Sequence, residues 1–173
     1  MLNEKIQKAI NEQINAELYS SYLYMSMSAW FESVNLRGFA NWMMVQAQEE
    51  DFHAMKMFGF VNDRSGRVHL KAIEGPPTEW DSPLAVFEAV YKHECHVSEL
   101  IHKLVDLSLE MSDHPTNTFL QWFVTEQVEE ESNADDIVQQ LKMIGNDGHG
   151  LFMIDRELGT RVFTPPVDAG AGA

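Results

Sequence analysis

Glu50-Asp51-Phe52-His53 places a carboxylate and an imidazole three residues apart, which puts them on one side of a helix. The surrounding segment has apolar residues at its other inward positions, as a buried helix of a bundle does. A buried carboxylate is costly unless a positive charge neutralises it. The stretch therefore predicts a helix that carries metal ligands into the core of a helical bundle.

Four long segments have the apolar periodicity of helices, and each carries one acid on its inward stripe. They extend over about residues 3–34, 37–64, 82–112 and 115–145, and the acids are, in the same order, Glu17, Glu50, Glu94 and Glu130. Ser82, which precedes a proline, and Gly145 are expected as helix caps. A shorter fifth helix is expected over residues 150–158. The sequence therefore predicts an all-α fold, a four-helix bundle with a short fifth C-terminal helix.

The lengths of the connections predict the topology. Only a few residues, near positions 35 and 113, join the first helix to the second and the third to the fourth, so each pair should be antiparallel neighbours. About 18 residues join the second and third helices, and an extended chain of that length covers nearly 60 Å, more than the roughly 40 Å of a 27-residue helix. Two hairpins and one long crossover are therefore expected.

The same turns predict how deep each acid lies. Glu17 is 18 residues before the turn near position 35, and His53 is 18 residues after it. Glu94 and Glu130 are similarly placed about the turn near position 113, so all four segments should bring their acids to one layer. Carboxylates with one imidazole suit a pair of iron or manganese ions. In the alternative, the four acids reach solvent, and apolar residues such as Ile10 and Phe123 would have to face water.

Length and composition narrow the class of protein. A chain of 173 residues can form one domain, and its 45% hydrophobic content is too high for a disordered chain. The net charge of -15 disfavours binding to nucleic acid or to an anionic membrane. No apolar run reaches the roughly 20 residues of a membrane span, and no signal peptide is recognisable, so a cytoplasmic location is expected. The single cysteine, Cys95, is expected as a small packing residue.

Longer stretches around the acids resemble the ferritins, and most closely the bacterial and archaeal non-haem ferritins. The resemblance covers nearly the whole chain and is strongest in Gln48–His53, Tyr91–Glu94 and Phe119–Glu131. It implies a ferritin-like bundle over residues 1–163 and a homo-oligomeric shell of 24 copies. The composition of the last residues separately predicts a flexible tail over 164–173. The resemblance also implies an iron-storage function, in which the protein oxidises Fe(II) with dioxygen as a ferroxidase and keeps Fe(III) as an oxyhydroxide mineral.

The resemblance also implies the site residues. A paired iron site would have five ligands, of which Glu50 bridges the two ions: Glu17, Glu50, His53, Glu94 and Glu130. A third, more exposed iron site would have four acids: Glu49, Glu126, Glu129 and Glu130. Gln127 is expected near the second iron as a weak ligand. Tyr24, seven residues after Glu17 on the same stripe, matches a tyrosine that the family places beside the paired site.

Departures from related families narrow the prediction. Bacterioferritins have a haem-binding methionine where this chain has Asp51, so no haem is expected, and Gln127-x-x-Glu130 lacks their second histidine. One cysteine cannot build the four-cysteine centre of rubrerythrin-like proteins. Two alternatives stay open. One is a soluble di-iron oxygenase or peroxidase, which needs an apolar pocket beside the metals, and the other is a helical interaction protein with a vestigial site.

Overall fold

The computed structural model describes residues 2–165, in which five helices and no strands occur. The helices are α1 (Glu4–Ser33), α2 (Arg37–Asp63), α3 (Pro83–Glu110), α4 (His114–Ile144) and α5 (Gly148–Leu158). The predicted all-α class is confirmed. The predicted tail lies mostly outside the described residues, so the domain boundary at position 163 stays a prediction.

Polar side chains cap the N-termini of α3, α4 and α5. Ser82 accepts a hydrogen bond from the backbone of Ala85, as predicted, and Asp113 accepts one from Thr116. The predicted start of α5 at Gly150 was two residues late, because the Asp147 side chain accepts hydrogen bonds from the backbone N–H groups at positions 149 and 150. Gly145 ends α4 with φ +55°, a conformation that favours glycine.

Contacts at one end of the bundle establish the helix directions. The start of α1 meets the end of α2, where the Leu2 N–H donates to the Arg64 carbonyl at 3.0 Å. Lys5 on α1 pairs with Glu110 at the end of α3 at 3.0 Å, and Arg64 pairs with Asp113 before α4 at 3.1 Å. The ends of α2 and α3 therefore lie together, so these helices are parallel, and the predicted two hairpins with one crossover are confirmed.

The crossover, residues 64–82, is extended along α1. The Asn11 side chain, near the start of α1, binds the backbone at positions 67 and 69. Farther along, the Ser26 hydroxyl donates to the Pro77 carbonyl at 2.6 Å, and Trp30 meets Trp80 with ring centroids 6.1 Å apart. These contacts follow one another along α1, so the crossover returns the chain from one end of the bundle to the other.

Two apolar clusters fill the bundle, and a polar layer separates them. One cluster lies around Phe31, Phe39 and Phe87, and the other around Ile10 and Phe123. Each contains side chains with essentially no exposed surface. Among residues 2–165, no helix is long and apolar enough to cross a membrane. The metal-ligand candidates therefore lie between two rigid apolar halves that hold their helices in register.

Helix α5 packs against the start of α2. The N–H groups of Gly38 and Phe39 donate to Asp155 Oδ1 on α5 at 2.8 and 3.2 Å. A Cβ atom on Gly38 would lie 1.5 Å from the Asp155 carbonyl oxygen, so this approach requires glycine. The Asn41 side chain then donates to the carbonyls of Leu158 and Arg161. These contacts direct the chain after α5 back toward the middle of α2.

Candidate metal centre

Glu17, Glu50 and His53 converge in the polar layer. Each offers a ligand atom, the atoms lie within 4.8 Å of one another, and no residue of the three is more than 3% exposed. Glu17 comes from α1, whereas the other two lie one helical turn apart on α2. Counting residues outward from the turn near position 35 therefore predicted correctly that these side chains lie at one depth of the bundle.

Glu94 and Glu130 lie in the same layer on α3 and α4. Glu94 is fully buried and accepts a hydrogen bond from the Tyr24 hydroxyl. Gln127 Nε2 donates to Glu94 Oε2 and to the Glu94 carbonyl, both at 3.3 Å. Glu130 Oε2 accepts from Gln46 Nε2 at 2.5 Å. All five predicted ligands of the paired site are therefore buried in one layer, with Tyr24 and Gln127 beside them.

The electrostatics of this layer favour a bound cation. Burial raises the pKa of Glu94 to about 8, and the nearby charge of Glu130 adds to the increase. Burial also raises the pKa of Glu50 well above its ordinary value, with contributions from the neighbouring carboxylates. Glu17 Oε2 and Glu50 Oε2 are buried and have no hydrogen-bond partner among the described residues. Unpartnered buried carboxylate oxygens are rare, and they suit a metal ion.

The raised pKa values predict an unusual pH dependence of stability. The pKa of Glu94 is about 8 in the folded chain against an ordinary 4.5, so between these pH values the folded state binds more protons than the unfolded state. We expect the melting temperature of the metal-free protein to fall as the pH rises from 5 to 8. Differential scanning calorimetry should show a shallower fall for Glu94→Gln, which cannot ionise. An equally steep fall in this variant would contradict the assignment.

A second acidic cluster lies beside the paired centre. A cavity of about 260 Å³ is lined by the four acids of the predicted third site and by the chain after α5: Glu49, Glu126, Glu129, Glu130, Arg161 and Phe163. Burial raises the pKa of Glu49 to about 7, even though Arg161 acts in the opposite direction. The Arg161 guanidinium pairs with Glu49 at 2.6 Å. The structure thus brings the four acids together and places the Arg161 guanidinium beside Glu49.

Three polar side chains of the site were not identified from the sequence. Gln13 Nε2 donates to Glu17 Oε1 at 2.9 Å, and Gln46 binds Glu130. Both glutamines lie four residues before a predicted ligand on the same helix, and this spacing is a signal that would have found them. Arg161 follows α5 in a segment without periodicity, so no sequence pattern indicated its position.

Comparisons with known proteins agree with this arrangement. The family model described as a ferritin-like domain matches residues 7–144. A bacterial non-heme ferritin from Bacteroides fragilis is 48% identical over 161 residues, which cover 93% of this chain and 100% of the relative. One from Staphylococcus saprophyticus is 39% identical over 94% of this chain and 98% of the relative.

Solved structures show the same fold. An engineered closed form of the Archaeoglobus fulgidus ferritin is 56% identical, with a TM-score of 0.94 over 95% of this chain and 100% of that chain. The open-pore ferritin of the same archaeon is also 56% identical, with a TM-score of 0.92 over 93% of this chain and 98% of that chain. The resemblance seen in the residues is therefore confirmed, and the chain belongs to the ferritin family.

Proposed function

We propose that this protein is an iron-storage ferroxidase, which oxidises Fe(II) with dioxygen and keeps Fe(III) as an oxyhydroxide mineral inside a shell of 24 copies. The observation that carries this proposal is the buried layer of four carboxylates and one imidazole with unpartnered carboxylate oxygens. The relatives named as bacterial non-heme ferritins support it. We place the protein in the cytoplasm.

The five buried ligands divide between two iron substrate ions. Glu17 and His53 hold one ion, Glu94 and Glu130 hold the other, and Glu50 contacts both. A single imidazole leaves coordination positions for dioxygen, while the carboxylates supply the negative charge that favours Fe(III) over Fe(II). Gln127 keeps Glu94 oriented through its amide and serves as a weak ligand at most.

Tyr24 supports the oxidation in two ways. Its hydroxyl donates to Glu94 and so fixes the rotamer of this ligand. Two Fe(II) ions supply only two of the four electrons that reduce dioxygen to water. We assign Tyr24, which is fully buried beside the centre, and the iron of the third site as sources of the further electrons.

The outer acidic cluster transfers iron between the paired centre and the interior of the shell. Glu130 belongs to both groups of ligands, and Glu126 and Glu129 lie farther toward solvent on α4. Glu129 is exposed and Glu126 half-buried, so the acids form a graded route away from the buried layer. We propose that Glu49, Glu126, Glu129 and Glu130 together hold the third iron.

The remaining alternatives have less support. An oxygenase or peroxidase needs an apolar substrate pocket beside the metals, but the cavity that borders His53 and Glu130 is lined mostly by charged and polar groups. A vestigial site would have lost ligands, whereas candidate ligands are present on all four long helices. Asp51 cannot serve as the haem-binding methionine of bacterioferritins, so we propose a haem-free protein.

Aerobic addition of Fe(II) to the metal-free protein tests the proposed function. We expect ferric absorbance in the near ultraviolet within seconds, faster than in buffer, and retention of the iron by a particle of roughly half a megadalton on gel filtration, since each chain has a mass of 19.8 kDa. Oxidation no faster than in buffer, or a dimer that retains no iron, would contradict the proposal.

A further inference from the structure

The chain after α5 places a permanent positive charge inside the outer acidic cluster. Arg161 Nη2 donates to Glu49 Oε2 at 2.6 Å, and Nη1 donates to Gln46 Oε1 at 2.7 Å. The guanidinium also lies over the Trp42 ring, 4.6 Å from its centroid. Two hydrogen bonds, from separate guanidinium nitrogens to two different side chains, and one contact with an aromatic ring therefore hold Arg161 against α2.

Through Gln46, these contacts extend to Glu130, the acid that the two proposed metal sites share. A carboxylate only accepts hydrogen bonds, so the amide nitrogen of Gln46 must face Glu130, and its oxygen must then face Arg161. The observed distances, 2.5 Å to Glu130 and 2.7 Å to Arg161, match this orientation. Arg161 thus restrains Glu49 directly and Glu130 through Gln46.

We propose that Arg161 is a positioning residue that keeps the outer site weak for divalent cations. Its guanidinium holds a carboxylate oxygen of Glu49 that a metal would otherwise use, and its charge repels a cation in the same cavity. A weak outer site releases iron, which a transfer route between the paired centre and the mineral requires. This inference rests on the proposed third site. It adds to the four acids a side-chain cation that competes with the metal ion for Glu49.

Calorimetric titration of the metal-free assembled protein with Zn(II), which is not oxidised, tests this role. We expect Arg161→Gln to bind zinc at the outer site about tenfold more tightly, because Glu49 is released and the repulsion is lost. The tight sites of the paired centre should be unchanged. Arg161→Lys keeps the charge but cannot make both hydrogen bonds, so we expect a gain in zinc affinity smaller than that of Arg161→Gln. Glu129→Ala identifies which phase of the titration belongs to the outer site, because this variant should lose that phase and keep the phase of the paired centre.

Lys142→Gln is the matched control, because it also removes one positive charge, but from a side chain that pairs with Glu88 at 3.1 Å and does not line the outer cavity. It should leave the outer affinity unchanged. An Arg161→Gln variant that binds outer zinc no more tightly than the parent would overturn the inference, and so would an equal gain in Lys142→Gln. Absence of the tight zinc sites from the parent protein would instead count against the proposed function, and the comparison at the outer site would still test Arg161.

Discussion

Glu50→Ala should abolish rapid oxidation of Fe(II) while the shell stays assembled. Glu50 is 1% exposed, offers a ligand atom within 4.8 Å of those of Glu17 and His53, and is subject to the nearby charges of Glu94 and Glu130. Its removal takes a ligand from both ions, so we expect the initial rate to fall at least about 100-fold, or about 2.7 kcal/mol in activation free energy. Stopped-flow ferric absorbance measures the rate, and gel filtration measures assembly.

Metal-dependent stability provides a second measurement on the same variant. Ions that bind only the folded state stabilise it, so Zn(II) should raise the melting temperature of the parent protein much more than that of Glu50→Ala. Glu88→Ala is the control, since Glu88 is a half-exposed acid paired with Lys142 at 3.1 Å, and it should oxidise iron normally. Parental kinetics in Glu50→Ala would refute the shared-ligand role.

Gly38→Ala should destabilise the docking of α5 on α2. The new Cβ atom would lie 1.5 Å from the Asp155 carbonyl oxygen, which is backbone and cannot rotate away, so α5 must move. Two hydrogen bonds to Asp155 Oδ1 would be stretched or lost with it. We expect a loss of about 3 kcal/mol in unfolding free energy, seen as a fall of about 6–12 °C in the calorimetric melting temperature.

Gly59→Ala is a matched control on the same helix. A Cβ atom there meets no heavy atom within 4 Å, so only helix propensity changes. Since alanine favours a helix interior over glycine by about 1 kcal/mol, this variant should melt at or slightly above the parent temperature. Equal melting temperatures for the two variants would show that the contact between Gly38 and Asp155 does not restrain α5.

The site shows what helical periodicity in the sequence can predict and what it cannot. Glu17 and His53 were matched in depth by counting from a turn, because antiparallel helices of constant rise convert sequence distance into height. The same count described Glu94 and Glu130. Counting gives height and face but no side-chain orientation, so it did not indicate that Tyr24 donates to Glu94 or that Gln46 donates to Glu130.

Local periodicity, connection length and the cost of burying charge were enough to predict the helices, the two hairpins with their crossover, and the layer of buried acids. The contacts of Arg161 with Glu49 and Gln46 could be found only in the folded chain, because these residues lie 112 and 115 positions before it in the sequence. Those contacts depend on how closely α5 approaches Gly38, and that approach is set by the packing of two helices, which no repeat in the sequence encodes.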